Sequence, residues 1–420
     1  MNVVIVKLAG IASYGVASVD FELLLSTLLF ISREGMRNAL LRVESDPPAH
    51  RNSRQKPGVK DQLLINASLV PIGLGMVMAN LVFLVFKSTS DSDWKTAIVI
   101  YIIAGWVELC VEPLYVLSRA QVLFQVQAKC EGIAVTARCI TVTTLLITGR
   151  HIADADDNNP YSLLAFAAGQ MVYALTILAT YAWYMSHELE YPVWHCYVPR
   201  QIASSGHFVM PETRKLAVTF VGQSLLKHCL TQGDNMLMVK YASNAIKGTF
   251  AMVSNYGSIP ARIIFLPLEE ASRAMFSRQS TATSAQQTEN ARLVRRVIEI
   301  LAKFQLLLGS ILVVFGTLYS STFMALLGQD DPTASNTMSM YCLYLPLMGL
   351  NGFLEAFVHS VADRNQLLHV NIWMIICTIT YVVISVQILS VLQLGSAGIV
   401  AANMVNMAMR IVYCTRFVKT

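Results

Sequence analysis

Charge is what this chain of 420 residues has least of: Asp, Glu, Lys and Arg together make up 14% of it, where a soluble domain needs about a quarter to cover its surface. Hydrophobic residues make up 55% and the mean hydropathy is +0.52. Together these exclude a soluble globular fold. Eight cysteines are present. Cys110, Cys130, Cys139, Cys229, Cys342 and Cys377 fall in or at the ends of apolar runs, Cys414 falls near the end of the last one, and Cys196 lies in a loop. None has metal-ligand spacing and no disulfide framework is suggested, so they read as small packing residues. The chain has no Walker loop, no HExxH, no GxSxG in a suitable setting and no Asp-rich metal motif, which leaves little sign of enzyme chemistry. The acidic clusters at 91–93, 154–157 and 330–331 read as solvated loops. No metal, cofactor or nucleic-acid partner is expected.

What is present is a succession of apolar runs of roughly twenty residues, each enough to cross a hydrocarbon core of about 30 Å. Eleven spans are expected, near 16–32, 61–86, 94–117, 122–148, 161–185, 213–240, 245–278, 297–327, 338–362, 366–390 and 394–416. The fold class is an all-α polytopic membrane protein. The sixth span is the least apolar, interrupted by Lys227, His228, Asp234 and Asn235, but the charge of the loops requires a crossing there. One alternating set of loops and ends holds eighteen basic residues, from Arg42, Arg51, Arg54, Lys56 and Lys60 through Arg273, Arg278, Arg292, Arg295 and Arg296 to Arg416 and Lys419. The other set holds five, Lys87, Lys95, Arg150, Lys240 and Lys247. The positive-inside rule puts the richer set in the cytosol. The one sequon, Asn66-Ala67-Ser68, then lies on the cytosolic side and is expected to stay unmodified.

The chain also repeats itself. "LFISREGMRNALLR" (29–42) and "RIIFLPLEEASRAMFSR" (262–278) align with Phe30 on Phe265, Ile31 on Leu266, Glu34 on Glu269 and Ala39 on Ala274. The match sets spans one and seven at equivalent places in two six-helix lobes. A first lobe at 1–185 then holds about five spans and is one helix short, so the chain reads as truncated at its start. A cytosolic linker at 186–212 and a second lobe at 213–420 follow.

Ionisable side chains at membrane depth cost several kcal/mol unless paired or wet, on the order of 2.5–3.5 even on insertion scales, so they locate function. Glu108 and Glu112, Glu131 and Arg138, Lys227 and Asp234, and Arg262, Glu269 and Arg273 each share a helical face by spacing, while Arg33 and Arg37 stand four apart with Glu34 beside them. Opposite charges at these spacings read as stripes neutralised within each helix and facing a polar interior. Helix breaks at Glu112-Pro113, Pro260, Pro267 and "PLMGLNG" (346–352) fall near the same residues.

"REGMRNALLR" (33–42), "EPLYVLSRAQ" (112–121), "LLKHCLTQGDNMLM" (225–238), "NYGSIPARIIFLPLEEASRAMFSR" (255–278), "NGFLEAF" (351–357) and "ANMVNMAMR" (402–410) together resemble the Rft family of eukaryotic endoplasmic-reticulum membrane proteins. The resemblance implies a two-lobed bundle like the multidrug/oligosaccharidyl-lipid/polysaccharide exporters, six plus six helices around a central cavity. It also implies a role in N-linked glycosylation, where the dolichyl-diphosphate heptasaccharide reaches the lumenal face. The family usually has a helix ahead of the first span here and more after the last, Glu where this chain has Asp234, and often Lys where it has Arg138. On this reading Arg33, Arg37, Arg138, Lys227 and Arg262 receive the diphosphate and glycan, and Glu34, Glu112, Glu131, Asp234, Glu269 and Glu270 orient them or act as gates. Membrane lipids and other glycosylation-pathway proteins are the expected partners. Rival readings stay open: a cation-coupled exporter of the same superfamily, a non-transporting accessory of the pathway, and a membrane-embedded transferase.

Overall fold

The computed structural model describes residues 2–40, 59–86, 92–121, 123–152, 161–188, 193–200, 232–280, 287–362 and 364–419, with Phe208, Arg214, Ala217, Val218, Val221, Leu225 and His228 between them. The described residues are helical throughout, without strands. Nine helices among them are long and apolar enough to cross a membrane: Ile11–Arg37, Asp61–Leu84, Trp94–Ala120, Gln125–Gly149, Tyr161–His187, Val294–Leu318, Pro332–Val361, His369–Leu392 and Gly395–Val418. These are the expected spans one to five and eight to eleven. The seventh is helical too, but as Asn244–Gly257, a π-helical turn Ala261–Phe265 and Leu266–Ser280, and its polar residues keep it off that set. Most of the sixth, the loop at 42–60 apart from its last two residues, most of 149–160, and Lys227 lie outside the described residues. A helix not foreseen from the sequence, Asn2–Ala9, precedes the first span. At 1.5 Å per residue it is too short to cross a bilayer, and it buries Ile5, Val6 and Ala9 while packing on the fourth span.

The chain divides into two compact units, Met1–Gly233 and Asp234–Thr420. The division falls inside the sixth expected span because residues ahead of it pack on the first one. His228 stacks on Phe30 at 4.7 Å and bonds Thr27 Oγ1 at 2.9 Å, and Val221 lies so close to Gly35 that a Cβ there would come within 2.4 Å of Val221 Cγ2.

Each unit repeats one packing order. In the first, the third span packs on the first, second and fifth, and the fourth on the fifth; in the second, the ninth packs on the seventh, eighth and eleventh, and the tenth on the eleventh. The hub spans are the more buried, while the eighth, second, fourth and tenth leave most of their apolar side chains on the outside, as lipid requires.

Two helix breaks place charged residues. The third span is a helix Ser92–Leu109, a turn at Cys110-Val111 and a second helix Glu112–Ala120 with Pro113 in its first turn. Proline has no N–H to give and fits a first turn. Glu112 therefore stands at a helix N-terminus, whose partial positive charge suits a carboxylate. In the seventh span Pro260 precedes the π-helical turn, and Arg262 and Ser258 both donate to the Asn255 carbonyl there.

Candidate functional site

In the first unit, side chains from the first, third, fourth and fifth spans enclose a cavity of about 280 Å³. Four residues singled out from the sequence line it, Arg33, Glu34, Arg37 and Arg138, together with Glu22, Glu108, Gln170 and Tyr173. The first span supplies Arg33 and Arg37 one turn apart on one face, and the third supplies Glu108 and Glu112 at the same spacing. The four interlock across the two helices: Arg33 Nη1 donates to Glu108 Oε1 at 2.9 Å and lies 3.6 Å from Glu112, and Arg37 donates to both oxygens of Glu112, at 2.9 Å through Nε and at 2.5 Å through Nη2. Glu112 is 1% exposed. The Arg37 guanidinium also lies 3.9 Å over the Tyr115 ring, whose hydroxyl takes a 2.6 Å bond from Arg119. The sequence suggested stripes neutralised within each helix. The neutralisation runs between helices instead, because the face of each stripe carries charge of mainly one sign and meets the opposite sign on its neighbour.

Arg138 is different. Among the described residues no carboxylate lies within salt-bridge distance of it, although it lines the cavity. Glu131, expected on its face, is exposed and accepts from Gln127 Nε2 at 3.1 Å; seven residues is about 10 Å of helix, too far for a direct pair. Arg138 is brought in by the fifth span's Gly169, where an added Cβ would stand 2.3 Å from Val142 Cγ2 and 3.4 Å from the Arg138 carbonyl oxygen. The next residue, Gln170, is 1% exposed, and its Oε1 has no hydrogen-bond partner among the described residues. Sequence reasoning missed Gln170, Tyr173 and Glu22, since a lone amide or tyrosine in an apolar run carries no periodic signal. Glu108 stood in a recognised stripe but was not assigned to the site.

Apart from Lys227, which lies outside the described residues, the remaining candidates lie in the second unit. Arg262, placed by the sequence as an anion ligand, is exposed and turned back on its own helix, donating to the Asn255 carbonyl oxygen and, at 3.1 Å, to Asn255 Oδ1. Those bonds across the break at Pro260 give the arginine a local structural task. Glu269 and Arg273 are paired at 2.8 Å, as their spacing proposed, and the Glu269 carboxylate lies against Gly352. Glu270 is exposed. Asp234 opens the helix Gly233–Tyr241 and accepts from Asn403 Nδ2 at 2.9 Å. Among the described residues no cation pairs with it. Glu355, unassigned from the sequence, meets Arg410 at 2.7 Å. No group of three or more metal-ligating side chains occurs among the described residues.

Likeness to known proteins extends through the whole chain. The family described as Rft protein matches across residues 1–420. The chain belongs to the Rft family. It is 29% identical to the Man(5)GlcNAc(2)-PP-dolichol translocation protein RFT1 of Schizosaccharomyces pombe, over all of this chain and 79% of that one. It is 26% identical to the protein of the same name from Mus musculus, over 100% and 78%. Among solved structures, a multidrug resistance MATE family transporter of the MOP superfamily, in an inward-facing conformation, superposes with a TM-score of 0.59 at 12% identity, over 100% of this chain and 94% of that one. The lipid II flippase MurJ gives 0.59 at 12% identity, over 100% and 85%. These likenesses establish the exporter-type fold of this Rft protein, an all-α multi-pass membrane protein.

Proposed function

We propose that this Rft protein moves a dolichyl-diphosphate-linked Man5GlcNAc2 from the cytosolic to the lumenal face of the endoplasmic reticulum, and that the first-unit cavity receives the diphosphate end of that lipid's head group. The observation that carries the reading is Arg138, a guanidinium on the cavity wall with no carboxylate partner among the described residues. A planar guanidinium presents paired N–H donors that match two phosphate oxygens, in a place where water competes poorly. Arg33 and Arg37 serve as the supporting frame, since Glu108 and Glu112 already hold them. The carboxylates, the amide and the tyrosine around Arg138 supply both acceptors and donors, which suits a head group rich in hydroxyls. The apolar tail stays in lipid throughout, so the protein has to shelter only the polar head. The chain carries no nucleotide-binding motif; net movement follows consumption of the lipid on the lumenal side, in steps of alternating access or along a grooved slide.

The test is the profile of lipid-linked oligosaccharides in cells depleted of the protein and rescued with variants. The intact chain restores the profile, and Arg138→Gln leaves the heptasaccharide lipid accumulated with protein abundance near normal. Full rescue by Arg138→Gln sinks the assignment. A second reading, cation-coupled export, draws on Asp234, which has an amide where the other paired carboxylates have arginine. If that reading holds, Asp234→Asn abolishes uptake into vesicles driven by a cation gradient while Arg138→Gln does not.

A further inference from the structure

Resting on the reading that Arg138 holds a diphosphate, we infer that Gln170 reads the sugar joined to that diphosphate. The cavity sets the scale. Its 280 Å³ lies just below the about 300–1,000 Å³ of pockets that take drug-sized ligands, a scale that suits a diphosphate with its first sugar rather than a whole seven-sugar head group. The site therefore recognises the junction of phosphate and glycan and leaves the outer sugars to a wider space.

The polar groups narrow the ligand further. Arg138 calls for an anion. Gln170 Oε1, on a side chain 1% exposed, is an acceptor with no donor among the described residues, and an unmet buried acceptor costs about 1–3 kcal/mol. A bare diphosphate, which is all acceptors at neutral pH, repels that oxygen. A ligand that satisfies both must carry an O–H or N–H donor next to its phosphate. A glycosyl diphosphate with a ring hydroxyl or an acetamido N–H is such a molecule; an unglycosylated prenyl diphosphate is not. The helices that carry the two residues pack closely here: an added Cβ on Gly169, the residue before Gln170, would lie 3.6 Å from Arg138 Cγ. Gln170 thus acts as a specificity determinant, admitting lipids that bear sugar and penalising the free carrier.

The experiment uses the full chain in detergent with two probes, a short-chain prenyl diphosphate and the same molecule bearing N-acetylglucosamine. The intact chain binds the sugar-bearing probe about tenfold tighter, the equivalent of about 1.4 kcal/mol. Gln170→Leu and Gln170→Met, the second keeping the side-chain length without a strong acceptor, bind both probes equally, at the affinity of the intact chain for the bare diphosphate or better. Equal binding of the two probes by the intact chain, or a preference retained by both variants, overturns the inference while leaving the Arg138 assignment standing. Arg138→Gln weakens both probes alike and keeps their ratio. Should it bind both as tightly as the intact chain, the diphosphate assignment itself falls, and this inference with it.

Discussion

Arg37 is held on three sides: Glu112 takes two of its N–H bonds, the Tyr115 ring lies under its plane, and Glu34 lines the same cavity. Removing one partner of a buried pair strands the other, which costs about 3–5 kcal/mol. Glu112→Ala is accordingly expected to lower the thermal midpoint in detergent steeply and to reduce abundance, whereas Arg138→Gln, which breaks no carboxylate pair among the described residues, leaves both near the intact values. Equal midpoints for the two variants would show that the interlock contributes nothing to stability. Cys196 makes a separate point. It sits fully buried in the 3₁₀ turn Val193–Tyr197, and burial pushes its thiol up to about 12. The thiolate is the reactive form, and it is absent until the pH approaches that value. Maleimide at neutral pH should therefore leave Cys196 unlabelled in the folded chain and label it after denaturation.

The spans were legible from hydropathy alone at nine of eleven positions, because a bilayer fixes the length of a crossing and the composition that survives there. The sixth was expected only with the help of the loop charges, and most of it lies outside the described residues; the seventh is helical, but Pro260, Arg262, Glu269 and Glu270 dilute it. The candidate site was half legible. Arginines and glutamates inside apolar runs announced themselves by cost, but spacing along one helix says nothing of the helix opposite, so the pairing of Arg33 with Glu108 and of Arg37 with Glu112 had to wait for packing. Gln170 and Gly169 were silent for the same reason. The contact between the fourth and fifth spans yields its own test. Gly169→Ala forces a Cβ into Val142 and should destabilise by about 1–3 kcal/mol. Adding Val142→Ala should recover part of that loss, and a double-mutant cycle of thermal midpoints measures the coupling. Strict additivity would mean that the two spans do not meet there.

For the molecule as a whole, orientation follows from eighteen basic residues set against five. A cysteine placed at Ser53 should react with a membrane-impermeant reagent from the cytosolic side, and one at Thr333, exposed beside Asp331, from the lumenal side; the reverse pattern would overturn the topology. The sequon offers a check that needs no reagent. Asn66 is 4% exposed, and its amide donates to the carbonyl oxygens of Arg200 and Phe208 at 2.7 and 2.9 Å while its Oδ1 takes the Arg200 N–H at 3.1 Å. The nitrogen that an oligosaccharide would be joined to is thus already committed to two carbonyls. A chain in its native fold stays bare at this position, and only a molecule inserted upside down, or one caught before these contacts close, can acquire a glycan there. An endoglycosidase-sensitive increase in apparent mass would then count the misassembled fraction of the population, so that a protein read here as serving glycosylation carries, in its own sequence, a tag that records its failures to assemble.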